Sequence, residues 1–191
     1  MKRFKKQIPF ALAGTINDVA FKGMQSAKAD IPRYLQNPKP WIKKGVRVEK
    51  ASKKKLRGRV YIPKDRWDAA MKWQVEGGAQ QPHGRQHAVP TRRTRLNTYG
   101  NPTPAQRASR LANNPKYFSG KPKNQSDLGA GIWKRKGRGG RGGIEMIHAY
   151  RGPTHYRKRY PFYQRTVKTI RNNFKSAFKF RWGKALATAR R

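Results

Sequence analysis

Forty-seven lysines and arginines share this chain with only eight aspartates and glutamates, a formal net charge of +39 over 191 residues. No compact monomer can neutralise that imbalance from within. Even with every acid paired, most of the cations would still face solvent or a partner. Self-repulsion at such a charge works against an isolated compact fold. A permanent counter-charge is therefore expected beside the folded state: nucleic acid, an acidic protein surface, or both.

The apolar fraction, 35%, is low for a globular domain. Five Trp, eight Tyr and eight Phe are nevertheless too many aromatics for a purely disordered tail. Together they predict one domain over residues 1–191, with a small aromatic-rich core carrying long basic loops and arms. Such a core is marginal alone, so oligomerisation is expected. The absence of Cys excludes disulfides and thiolate metal sites. No apolar run approaches membrane-spanning length, and no membrane partner is expected. The opening Met1-Lys2-Arg3-Phe4-Lys5-Lys6 is basic, but the apolar stretch at 9–13 is too short for a signal peptide, so cytosolic synthesis is expected.

Hydrophobic spacing predicts an α+β fold: a small antiparallel sheet packed with an N-terminal and a long C-terminal helix, with extended basic loops and arms. Residues 9–28 form the first helix, with Pro9 in its opening turn and Ile8, Leu12, Ile16, Val19, Ala20 and Met24 on one face. Gly14 and Gly23 either weaken this helix or mark close contact with another element. Pro32, Pro38 and Pro40 break the chain, and Trp41 is a candidate anchor. Residues 46–51 and 56–62 read as a strand pair, with a basic hairpin loop at 52–55. A short helix over 65–75 has Asp65 as its cap, and a second, from Thr103-Pro104 to Leu111, has Thr103. Residues 79–101 and 113–127 read as irregular, within a long basic loop over about 79–127. Ile132-Trp133 and residues 144–150 form a second strand pair around a cationic loop at 134–143. Residues 151–159 form a basic turn. Residues 161–189 are the longest helix, with a stripe of Tyr163, Val167, Ile170, Phe174, either Ala177 or Phe178, and either Arg181 or Trp182, and with Lys168, Arg171, Lys175, Lys179 and Lys184 around much of the remainder.

Four basic clusters interleaved with Tyr and Trp are the candidate polyanion- or partner-contacting residues: Lys53, Lys54, Lys55, Arg57 and Arg59; Arg92, Arg93 and Arg95; Lys134, Arg135, Lys136, Arg138 and Arg141; and Arg157, Lys158 and Arg159. Their texture suits salt-dependent backbone contact that reads no sequence. Two Arg-Gly-Gly units at 138–143 are either a flexible nucleic-acid-binding segment or a solvated hairpin tip, and they contain no P-loop pattern. Among the histidines, His83, His87, His148 and His155, the first two have the i, i+4 spacing of a helical metal site. Pro82, Gly84 and Pro90 argue against a helix there, so no metal or cofactor is expected. The acids Asp18, Asp30, Glu49, Asp65, Asp68, Glu76, Asp127 and Glu145 are scattered, and they read as caps and ion-pair partners. Glu76 alone makes a weak nuclease-like carboxylate. No catalytic residue is assigned and no enzyme is expected. Phe174, Phe178, Phe180 and Trp182 occupy more than one helical face, so some should meet another subunit.

The series Gln74-Val75-Glu76-Gly77-Gly78, Ala88-Val89-Pro90 and Leu96-Asn97-Thr98-Tyr99-Gly100-Asn101, preceded by Pro40-Trp41 and a basic strand pair, resembles a set of tailed-phage and prophage structural proteins. More loosely, the layout is similar to the minor tail and tail-completion proteins of long-tailed phages, which are also small, basic and without Cys. The resemblance covers residues 5–105. It implies a ring-forming virion subunit at the neck, where head vertex meets tail, assembled in the host cytoplasm among portal, neck and tail proteins with possible genomic DNA contact. Ring closure requires heterologous cyclic contacts. The competing readings are a nucleic-acid-binding protein of ribosomal, DNA-packaging or nucleoid type, and a membrane-active cationic protein. The spread of charge over loops instead of one helical face counts against the last.

Overall fold

A computed structural model describes residues 2–82, 84, 86–123, 127–137 and 142–189. Arg138, Arg141 and His83 lie outside the described residues. The fold is α+β, and the chain divides into two compact units: Met1–Gly77 with Arg157–Arg191, and Gly78–Tyr156.

The first unit is organised by two long helices, α1 (Lys2–Tyr34) and α6 (Phe162–Ala189), which pack against each other. Four polar contacts fix their direction and register. Asp18 meets Arg181, Lys22 meets Asn173, Ser26 meets Thr169 and Asp30 meets Arg165. One number rises as the other falls, so the helices are antiparallel. The packed face of α1 is built from small residues: Ala11, Ala13, Thr15, Ala20 and Ala27 are all buried. A Cβ at Gly23 would stand 3.1 Å from Ile170, and one at Gly14 would stand 3.0 Å from Arg181. Both glycines therefore let α6 come close, and neither interrupts the helix.

α1 is longer than its apolar spacing indicates. It starts before Pro9 and runs past Lys28 through Pro32. A proline deletes one ladder hydrogen bond and crowds the preceding turn, but the turns on either side still form their own bonds. At the C-terminal end, burial supplies the rest. Asp30 and Ile31 are buried, and the carbonyl of Ala27 accepts a 2.8 Å bond from the Tyr160 hydroxyl. Burial, with the neighbouring Asp30 carboxylate adding to it, pushes the Tyr160 hydroxyl pKa well above its usual value, so this group stays a neutral donor.

α2 (Pro40–Lys43) follows a turn. Its Ile42 joins the core while Trp41 is 39% exposed, so Ile42, not Trp41, is the inward residue. The antiparallel pair β1 (Arg47–Glu49) and β2 (Arg59–Tyr61) has Val48 opposite Val60. Both strands are shorter than expected because the connection is bound to α1. The Asn17 side chain accepts from the Ala51 N–H at 2.8 Å and donates to the Ala51 carbonyl at 3.0 Å. Gly58 lies against Ile16, where a Cβ would be 2.8 Å away. Next, α3 (Lys64–Arg66) passes through a π-helical turn (Trp67–Met71) into α4 (Lys72–Val75). Pro63, not Asp65, holds the N-cap position. Ala27, Ile31, Val46, Met71, Val75, Tyr160 and Phe162 form this unit's core.

The second unit holds a four-stranded antiparallel sheet of order β4-β7-β6-β5: β4 (His87–Pro90), β5 (Tyr117–Gly120), β6 (Gly131–Arg135) and β7 (Ile144–Arg151). A separate pair joins β3 (Gly78–Gln80) to β8 (Thr154–Tyr156). The expected β6–β7 pair is present, but residues 79–101, 113–127 and 151–159 are not purely irregular, because they supply β3, β4, β5 and β8. A 3-10 turn (Pro104–Gln106) and α5 (Ala108–Leu111) occupy the expected second short helix. Leu111, Ile132 and Ile147 form a small core. Thr91 and Thr94 tie the chain after β4 to β7 through hydroxyl bonds to the carbonyls of Met146 (2.8 Å) and Ile147 (2.5 Å).

Candidate polyanion- and partner-contacting surface

Ion pairs use few of the cations. Among the described residues, Asp18 pairs with Arg181, Asp30 with Arg33 and Arg165, Glu49 with Lys55 and Arg59, Asp65 with Arg66, and Glu145 with Arg93 and Lys136. The sequence counted the acids as caps and ion-pair partners, and these five are ion-pair partners. None of them leaves a cation cluster balanced.

In the first unit the β1–β2 connection is a dense basic surface. Lys53, Lys54, Lys55, Arg57 and Arg59 are all exposed. Lys55 and Arg59 converge on Glu49, at 2.9 and 3.4 Å. That hydrogen bond from Lys55 holds the Glu49 carboxyl below its ordinary value. Lys53 and Lys54 have no acid partner among the described residues, and Arg57 forms no ion pair there, although its charge also lowers the Glu49 carboxyl pKa. α1 supplies aromatic faces beneath this connection: Lys53 lies 5.0 Å from the Phe10 ring centroid and Lys50 lies 5.5 Å from that of Phe21. Each cation–ring contact is worth about 0.5–1 kcal/mol at an exposed site. Sequence spacing could not find Phe10, Phe21 and Lys50, since these contacts cross more than 25 residues of chain. Arg157, Lys158 and Arg159 are exposed in the segment leading to α6, where the Arg159 and Tyr160 N–H groups both donate to the Gln74 carbonyl.

In the second unit, Arg93 and Lys136 meet at Glu145, at 3.2 and 3.6 Å. Arg92 and Arg95 are exposed without an acid partner among the described residues. Arg135 is structural: its guanidinium donates to the Pro115 and Tyr117 carbonyls at 2.8 and 3.0 Å and lies 4.9 Å from the Phe118 ring centroid. Lys134 is half-buried.

The remaining candidates for chemistry are local structure. His87 sits in β4, with its ring Nε2 3.1 Å from the Gln80 carbonyl. His148 is buried, with its Nε2 2.7 Å from the Gln106 carbonyl. No group of three His, Asp or Glu able to hold a metal occurs among the described residues. Glu76 is exposed at the end of α4.

A cation row absent from the four clusters lies on α6. Lys168, Arg171, Lys175 and Lys179 are exposed, at three- and four-residue spacing, with no acid partner among the described residues. Its signal was the helical period. The two α6 arginines that do have acid partners are bound to α1. Arg181 grips Asp18 bidentately at 2.6 Å, and Arg165 donates to the buried Asp30 at 2.5 Å. The Arg181 hydrogen bond holds the Asp18 carboxyl below its ordinary 3.8, against a smaller opposing effect of burial. Asp18 therefore stabilises the fold above that ordinary value, and the contribution is lost as pH falls through the lowered folded value. Asp18→Asn is expected to be destabilising at pH 7, with the difference from wild type shrinking below about pH 4. Urea titrations at the two pH values and fixed ionic strength measure this. A constant difference would remove Asp18 ionisation from the account.

Comparisons with protein-family models, curated proteins and solved structures return no match for this chain. No helix among the described residues is long and apolar enough to cross a membrane.

Proposed function

We propose that this chain is a non-enzymatic structural protein of a tailed-phage virion, forming part of the head-to-tail neck or tail-completion ring. The observation that carries the reading is the unbalanced cation surface. Both units display exposed Lys and Arg without acid partners, while the acids that do form pairs hold the fold together. A subunit permanently set among acidic proteins and DNA tolerates this charge, whereas a free monomer repels itself. Each unit also has a modest core, which suits a subunit completed by its neighbours. The tailed-phage resemblance of residues 5–105 supplies the particle and the position.

One observation favours the second reading, a nucleic-acid-binding protein of ribosomal, DNA-packaging or nucleoid type. Lysines set beside aromatic rings at the β1–β2 connection are the texture of a non-specific backbone-binding surface. Fractionation separates the two. A neck protein purifies with intact particles at a fixed copy number and withstands a high-salt wash. A ribosomal protein sediments with ribosomes. Absence from washed particles overturns the virion reading.

A further inference from the structure

We infer that the outer flank of α6 is a docking face for an acidic amphipathic helix of a partner protein. In the first unit α1 is packed on more than one side, by α6 and by β1, β2 and α2, whereas α6 packs mainly on α1, with Phe162 in the core and Tyr163 also meeting the Trp67 ring at 6.4 Å. The flank left over is apolar. Tyr163, Val167 and Phe174 are 53%, 44% and 42% exposed. Phe174, Phe178 and Trp182 continue the stripe as a ladder, with centroid separations of 6.3 and 6.1 Å and interplanar angles of 2° and 13°. Rings stacked on their own neighbours are held in place before any partner arrives, which lowers the ordering cost of binding. From Tyr163 to Trp182 the stripe spans about 28 Å of helix, at 1.5 Å per residue. Anchors at four- and seven-residue spacing are what a helix lying alongside requires.

Charge selects the occupant. α6 contains no acid. Its row of Lys168, Arg171, Lys175 and Lys179 runs beside the ladder, exposed and without acid partners among the described residues. A second copy of α6 would set cation row against cation row. A nucleic-acid strand would need to stack bases on the rings. Inserting a base between two rings requires two layers of about 3.4 Å each, more than the observed separations, and Val167 gives a base nothing to stack on. A helix with a leucine-like ridge bordered by Glu and Asp matches both rows at once.

The inference rests on the assembly reading only for where the partner comes from, and its test is independent of particle incorporation. The full-length chain is titrated against a fluorescent synthetic helix with Leu at every third and fourth position and Glu elsewhere. A scrambled peptide of the same composition and an oligothymidylate serve as comparisons. The patterned helix is expected to bind at least tenfold more tightly than the scramble. Phe178→Ser with Trp182→Ser should weaken it about 30-fold, the scale of an interface hot spot. Lys168→Glu with Lys175→Glu should weaken it about tenfold, and these exposed positions leave the fold intact. Equal binding of the scramble, or indifference to both double substitutions, overturns the proposal. So does an aromatic-dependent affinity for oligothymidylate in place of the peptide, or self-association that the aromatic substitutions disperse.

Discussion

The combined substitution Lys53→Glu, Lys54→Glu and Arg57→Glu is expected to lower the affinity of the full-length chain for random-sequence duplex on the order of a hundredfold at low salt. Non-specific affinity comes from counterions released as cations replace them along the phosphates, so each lost contact also flattens the salt dependence. Three lost contacts should reduce the log–log slope by about 2.7. Among the described residues these three form no direct ion pair, whereas Lys55 and Arg59 hold Glu49. The fold loses the contact of Lys53 with Phe10, about 0.5–1 kcal/mol, and the exposed charge interaction of Arg57 with Glu49. Fluorescence anisotropy across a salt series reads both quantities, with a melting curve as the check on folding. Unchanged affinity and slope would show that this connection does not meet phosphate, and its charge would then belong to an acidic protein neighbour.

How far such a surface can be read from the sequence depends on the range of the interaction that builds it. α6 was legible almost to the residue, since its stripe from Tyr163 through Phe178 obeys one period over many turns. β6 and β7 were legible as well, because apolar residues cluster on either side of a glycine-rich loop. The ends of α1 were hidden. Pro9 and Pro32 are locally signals to start and stop, and the helix is carried past Lys28 by contacts to Tyr160 and Arg165, far along the chain. β3 and β8 are three-residue strands of mixed composition, too short to show any period. They exist through each other, with Gly78 opposite Tyr156 and Gln80 opposite Thr154.

The candidate surface divides along the same line. Exposure of most of the described residues in the basic clusters followed from charge arithmetic alone, with Lys134 half-buried. What the arithmetic could not supply is which cations are already engaged. Arg135 looked like its neighbours in the sequence, yet it is bound to the Pro115 and Tyr117 carbonyls. Arg93 and Lys136 lie far apart in the chain and meet only at Glu145. Conversely, the row on α6 was visible as periodicity, but it became a candidate surface only once Arg165 and Arg181 were seen facing α1.

Gly131→Ala is expected to be the most damaging single-methyl change in the second unit, by about 3 kcal/mol. Gly131 opens β6 opposite Ala149 of β7, immediately before a register shift at Ile132 and Trp133. A Cβ there would lie 2.2 Å from the His148 carbonyl oxygen and 3.4 Å from the Ala149 Cα. Both are backbone atoms of the central strand pair, so no rotamer change relieves the clash. The strands must separate, and the His148 bond to Gln106 and the packing of Ile132 on Ile147 are strained with them. The backbone of Gly131 does not have positive φ. The cost is therefore steric, and the usual gain of replacing a strand glycine by alanine works in the opposite direction. Gly129→Ala is the matched control. A Cβ there meets nothing within 4 Å, and its effect should stay within about 0.5 kcal/mol. In a unit of this size, 3 kcal/mol corresponds to a fall of about 12–24 °C in Tm. Trp133, buried in β6, gives the optical signal. Equal melting of the two variants would mean that β6 and β7 do not approach this closely, and the register that places Lys136 beside Glu145 would have to be redrawn.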